Sequence, residues 1–198
     1  MSKIVFLGDS ITRGISYGGV TLPQTFAKLI GELNGYTYDD IINAGVNGDT
    51  SAQALERLPA LLTEYSPVVV SVMIGINDYR AGLTPEESGT NIEAIIGLIR
   101  AAGATPVVMS SQFRRGTAAV VNEYREYLLK LDALTLRLGV RYMDFYRTMA
   151  CQWFYNPTSW VKIFATNDIT HLSVFGHEVV RNFSTREEFV GFFLPEFN

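Results

Sequence analysis

Cysteine is nearly absent from the sequence. Cys151 is the only one in 198 residues, so no intramolecular disulfide can form and the fold must be held by its core. Nothing beside Cys151 would activate its thiol, which sets aside a cysteine nucleophile. Histidine is almost as scarce, with His171 and His177 alone. A metal site built from Asp168, His171 and His177 would have at most three ligands and no helical metalloprotease spacing, so no metal is expected. An excess of positive charge is missing too. The net charge is −4, and the basic residues are scattered apart from Arg114 and Arg115, which argues against nucleic acid or an anionic membrane as partner. No apolar run is long enough to span a bilayer, and the first strand starts by Lys3 or Ile4 with no room for a signal peptide. A cytoplasmic location is expected, although a secreted form that has lost its leader, or a phage-encoded one released by lysis, would read the same. A Gly-x-Ser-x-Gly elbow, a phosphate loop and a dinucleotide fingerprint are all lacking, so no cofactor is expected.

What is present is the composition of a globular chain, 47% hydrophobic and 18% charged, of a length that suits one domain over residues 1–198. The run Ile4-Val5-Phe6-Leu7 ends in Gly8-Asp9-Ser10, and reads as a strand buried on both faces that opens into a glycine turn. In parallel sheets ligands sit beyond the carboxyl ends of the strands, so Ser10 is a candidate nucleophile. Leu22, Phe26, Leu29, Ile30 and Leu33 recur at helical spacing and predict a helix of about three turns. A short strand is expected near Tyr36 to Ile42, ending in a loop from Asn43. Thr50-Ser51-Ala52-Gln53 has the form of a capping box. Pro59 should kink or break the helix that follows, near Leu58. Val68 to Ile74 is the most β-branched run and the expected central strand. Thr84-Pro85-Glu86-Glu87 opens a helix reaching about Gly103, and Val107 to Met109 forms a fourth strand. A long helix then presents Val121, Tyr124, Leu128, Leu131 and Leu138 on one face. Val140 to Asp144 is a fifth strand, and Ser173 caps a last helix ending about Phe183. Strands alternating with helices predict a three-layer α/β/α fold around a five-stranded parallel sheet, the flavodoxin-like arrangement.

A serine hydroxyl needs a base, a group to orient the base and donors for an oxyanion. Three later segments supply such residue types: Asn43 to Thr50 with Gly45 and Gly48, Gly75-Ile76-Asn77-Asp78, and Asp168-Ile169-Thr170-His171. With Gly8-Asp9-Ser10 they form four blocks, in an order that resembles the GDSL-type or SGNH hydrolases, over nearly the whole chain. Histidine, with an ordinary pKa of ~6.5, can take a serine proton near neutrality and return it to a leaving group. Asp168, three residues before His171, is placed to hold its tautomer by a tight turn. His177, inside the last predicted helix, is expected to be a surface group. The resemblance implies an oxyanion hole made by the backbone amides of Ser10 and Gly48 and the side-chain amide of Asn77. Ile11 stands where the family's name has leucine, and Leu172 where many relatives have proline; neither change touches the chemistry.

The expected function is therefore hydrolysis of acyl esters by a Ser10–His171–Asp168 triad through an acyl-enzyme. The expected partner is a small-molecule or carbohydrate acyl ester, and the acyl group is expected to be short, acetyl included. Gly48-Asp49-Thr50-Ser51 with Leu58-Pro59-Ala60-Leu61-Leu62 looks like the small bacterial acyl thioesterase and lysophospholipase branch, and Gly8-Asp9-Ser10-Ile11-Thr12 with Gly75-Ile76-Asn77-Asp78 looks equally like carbohydrate O-acetyl esterases. A binding or assembly domain that kept the fold without catalysis is the alternative of a different class. Substrate contacts are expected from Asp9, Tyr79 and Arg80 near the strand ends. Arg114 and Trp153 are further candidate sugar contacts, and residues around Phe113 and Trp160 could build a small acyl pocket or an apolar groove; the aromatic stretch without periodicity that holds Trp153 and Trp160 could instead pack as a satellite core.

Overall fold

The computed structural model describes residues 2–14, 19–112, 117–146, 170–186, 189 and 191–195. Five strands, β1 (Ile4–Gly8), β2 (Ile41–Gly45), β3 (Val69–Met73), β4 (Thr105–Met109) and β5 (Arg141–Met143), form one sheet in the order β2-β1-β3-β4-β5. Every neighbouring pair is parallel. The chain steps outward from β1 in one direction to β2, then in the other to β3, β4 and β5. Right-handed crossovers consequently place α2 (Phe26–Leu33) on one face and α3 (Ser51–Tyr65), α5 (Pro85–Ala101) and α6 (Ala118–Leu136) on the other. The last helix, α7 (Val174–Ser184), packs beside α2. This is the three-layer, flavodoxin-like arrangement that the alternation of elements predicts. Every residue of β1, β3 and β4 is buried, as expected of strands covered by helices on both faces.

The strand register positions everything that follows. Gly8 pairs with Gly45 on one side and Met73 on the other, Met73 with Met109, and Met109 with Met143. All five strands thus end in one row, and the loops leaving that row share one rim. Gly8 is required there by packing: a Cβ would lie 2.5 Å from the Met73 carbonyl oxygen and collide with Thr12. Gly45 is required by the close approach of α1 (Ser10–Arg13), the helix that follows β1, since a Cβ would collide with the Arg13 backbone and stand 2.8 Å from the Asp9 carbonyl oxygen.

Several expectations need correction. The α-helix expected from Leu22 begins only at Phe26. Leu22 to Gln24 form a separate 3-10 turn, and Thr25 caps α2 by accepting from the Lys28 amide. Residues 38–40 are also a 3-10 turn, so the second strand starts at Ile41 and takes in Asn43. Lys28, nearly buried, donates to the carbonyls of Tyr38 and Ile41 at 2.6 Å each and stabilises that coil. Asn43 fits an edge strand because its side-chain Nδ2 donates to the Thr12 carbonyl at 2.9 Å. Pro59 does not break α3, which runs unbroken from Ser51 to Tyr65; its ring lies on the exposed face, where the carbonyl it leaves unpaired can meet water. Leu138 falls beyond the end of α6. Both capping boxes form as expected, at Thr50 with Gln53 and at Thr84 with Glu87. No helix among the described residues is long and apolar enough to cross a membrane.

Candidate active site

β1 delivers Ser10 to the rim. Asp9 caps α1, its Oδ1 accepting from the Ile11 amide at 2.8 Å. That cap turns the chain so sharply that Ser10 becomes the first residue of the helix, where a backbone N–H has no intrahelical acceptor. Ser10 is 7% exposed, and its Oγ lies 3.0 Å from His171 Nε2. His171 comes from the segment leading into α7, whose start is fixed by Ser173 accepting from the Gly176 amide. Two residues 161 positions apart in the chain are thereby placed within hydrogen-bond distance at the strand ends.

The Gly48 loop leaves β2 at the same rim. Gly48 sits at φ +82°, in the left-handed region that favours glycine, with open space around it. The loop is anchored from three sides. The Val46 amide donates to the Gly8 carbonyl at 3.0 Å, and Asn77 Nδ2 donates to the Asp49 carbonyl at 2.9 Å. Arg57, from α3, donates through Nε to Asp49 Oδ2 at 2.6 Å and through Nη2 to the Gly8 carbonyl at 3.0 Å. Asn77 follows β3 in the first turn of the short helix α4 (Ile76–Ala81), entered through Gly75 at φ +135°. One of its two amide hydrogens is used on Asp49, which orients the side chain and leaves the second for another acceptor. Asp78, next in sequence, is fully buried. It accepts from the backbone amide and hydroxyl of Ser51, at the start of α3, and from the Ser88 hydroxyl at 3.1 Å.

Burial pushes the Asp9 carboxyl up to about 7, the negative charges of Asp78 and Asp49 add to that, and the bond from the Ile11 amide opposes it. Among the described residues its Oδ2 has no hydrogen-bond partner. Asp9 is 1% exposed and stands beneath the rim as the cap of α1. His177 is also misread by the sequence. It is completely buried, stacks on Phe26 with ring centres 5.7 Å apart, and accepts from the Phe26 amide through Nδ1 at 3.0 Å. Burial pushes its pKa down to about 4. His171 and His177 accordingly serve different partners, the first at Ser10 and the second at the start of α2.

The remaining expected contacts separate. Tyr79 packs against Tyr124 and Tyr127 and lines a groove of about 560 Å³ between α4, α5 and α6, with Leu83 and Lys130 among its walls and none of Ser10, Gly48, Asn77 or His171. Arg80 is exposed on α4. Phe113, Arg114, Trp153, Trp160, Cys151 and Asp168 lie outside the described residues. Arg57 and Asp78 were missed by sequence reasoning. A signal for Arg57 exists: the buried positions of α3, Ser51, Ala54 and Leu58, follow helical spacing and flank it, so a basic residue borders the inward face.

The family model described as "GDSL-like Lipase/Acylhydrolase family" matches residues 6–179. Esterase TesA of Pseudomonas aeruginosa is 37% identical over 113 residues, 55% of this chain and 54% of that protein. Thioesterase 1/protease 1/lysophospholipase L1 of Escherichia coli is 32% identical over 106 residues, 54% of this chain and 49% of that protein. The chain spans about half the length of these curated relatives. In fold it is similar to a lipase/acylhydrolase from Enterococcus faecalis, with a TM-score of 0.77 at 22% identity and all of both chains covered.

Proposed function

The chain belongs to the GDSL-like lipase/acylhydrolase family, and from that premise we propose that it is a serine ester hydrolase with Ser10 as nucleophile and His171 as base. The observation that carries the reading is the 3.0 Å approach of Ser10 Oγ to His171 Nε2 at the ends of the strands. A domain that only bound carbohydrate would have no need of a base aligned on a serine.

The chemistry follows from the placement. As Ser10 Oγ bonds to the acyl carbon, its proton passes to His171 Nε2 and the carbonyl π electrons move to oxygen. The resulting oxyanion is received by the amides of Ser10 and Gly48 and the second amide hydrogen of Asn77, donors already fixed by the α1 cap and the Asp49 carbonyl. When the tetrahedral intermediate collapses, His171 returns the proton to the departing alcohol and an acyl-Ser10 ester remains. Water then attacks that ester with His171 again as base, releasing the acid and restoring the serine. Asp168 is assigned by family resemblance to orient His171.

The substrate we propose is a short-chain acyl ester, O-acetyl groups on carbohydrate included. A long-chain thioester or lysophospholipid is the second reading, favoured by the name of the E. coli relative. Rates on p-nitrophenyl esters from acetyl to palmitoyl, with Ser10→Ala as blank, test both. Activity confined to the shortest esters and lost in the blank is expected. Activity rising with chain length would favour the second reading, and no difference from the blank at any length would contradict the enzyme assignment.

A further inference from the structure

The strongest feature outside the reacting groups is the Arg57 guanidinium. We propose that Arg57 is a positioning residue that sets the distance between the Ser10 turn and the Gly48 loop; the inference rests on the ester hydrolase reading. Its Nε and Nη2 lie along one edge of the planar fork and donate in the same direction to two acceptors, Asp49 Oδ2 at 2.6 Å and the Gly8 carbonyl at 3.0 Å. Gly8 is two residues before Ser10, and Asp49 directly follows Gly48. The fork therefore ties together the two stretches whose separation decides whether an oxyanion formed on Ser10 reaches the Gly48 amide.

The surroundings make this tie stiff. The Gly8 carbonyl also accepts the last ladder bond of the β1–β2 pair, from the Val46 amide at 3.0 Å. Loop and strand end thus share one oxygen, with Arg57 on its second lone pair. Asp49 is held at its other end by Asn77 Nδ2, 2.9 Å from the Asp49 carbonyl, so Arg57 reaches Asn77, another oxyanion donor, through a single residue. The ion pair is largely withdrawn from water, with side-chain exposures of 24% for Arg57 and 8% for Asp49. A charge-assisted pair in such surroundings is stronger than an exposed one. A lysine there would be a point charge on a flexible stem and could not serve both acceptors along a fixed edge.

Arg100 is a fitting control. It too donates to two acceptors, the carbonyls of Leu138 and Gly139 at 3.2 and 3.1 Å, but on an exposed surface between α5 and the end of α6. The experiment compares wild type, Arg57→Ala, Arg57→Lys and Arg100→Ala in steady-state hydrolysis of the best p-nitrophenyl ester. Thermal melting accompanies it, with hydrogen exchange of the Val46–Thr50 amides. Arg57→Ala is expected to lower kcat by about 10- to 100-fold, as a misplacement of 1 Å or less does, with KM changed less than about threefold. Arg57→Lys should melt near wild type yet lose at least about fivefold in kcat, because charge is kept and the fork is not. Exchange in the Val46–Thr50 segment should quicken in both variants and stay unchanged in Arg100→Ala. Wild-type kcat in Arg57→Lys would overturn the proposal, since charge alone would then suffice. So would a kcat loss equalled by Arg100→Ala. Should wild type show no Ser10-dependent hydrolysis, the ester hydrolase reading fails, and the exchange data still judge the clamp: unchanged exchange in Arg57→Ala would overturn it.

Discussion

Burial sets Asp9 and His177 against each other along the pH axis. The folded Asp9 carboxyl keeps its proton up to about 7, while in the unfolded chain it ionises near the ordinary 3.8. Its contribution to stability is present in full below 3.8 and is lost as the pH rises through 7, a difference on the order of 4 kcal/mol. His177 has the opposite sign. The folded ring stays neutral down to about 4, so its contribution is present above 6.5 and is lost as the pH falls through 4, a difference on the order of 3 kcal/mol. Over the shared window the two slopes offset. Asp9→Asn keeps the α1 cap and removes one slope, so urea denaturation should show its stability relative to wild type increasing from pH 4 to 7 and exceeding wild type at pH 8. Parallel curves for the two proteins would contradict this account. His177→Phe, which keeps the ring beside Phe26 but gives up the acceptor for its amide, should cost ~1–3 kcal/mol at neutral pH. The burial of His177 was legible in principle. With Val180 and Ser184 it lies on the inward stripe of α7, but a lone histidine reads as surface when the spacing is not followed.

At the scale of elements, the capping boxes at Thr50 and Thr84 were legible because each is local chemistry between residues three apart. The errors came where a local rule met a distant partner. Leu22 continues the helical spacing of Phe26 and Ile30, but Thr25 caps α2 and cuts the pattern at that point. Tyr36 to Ile42 looks like a strand until Lys28 reaches across to the carbonyls of Tyr38 and Ile41. Asp78 is the clearest case of a long-range tie: from α4 it holds the first turn of α3 through Ser51 and the first turn of α5 through Ser88. Asp78→Ala would leave the Ser51 amide and hydroxyl without their acceptor, at ~1–3 kcal/mol for each, while Ser88 keeps the Tyr127 hydroxyl as partner. Equilibrium unfolding should show a loss of about 2 kcal/mol or more in total, and a loss below about 1 kcal/mol would mean that water replaces the carboxylate.

For the whole molecule, the sheet was legible because β1 is an uninterrupted apolar run, β3 and β4 are rich in valine, and the elements alternate. What no spacing rule could give is the common row in which Gly8, Gly45, Met73, Met109 and Met143 end the five strands. That row brings Ser10, Gly48 and Asn77 to one rim from segments tens of residues apart. His171 reaches the same rim from the segment before α7, and its 3.0 Å approach to Ser10 is the relation on which the functional account depends. The most direct test is the mass of the intact protein after treatment with a fluorophosphonate, followed by peptide mapping. The account predicts one adduct per chain, on Ser10, formed far more slowly in His171→Ala and not at all in Ser10→Ala. A folded wild-type chain that stays unmodified while a control serine esterase is labelled, or an adduct on another residue, would contradict it.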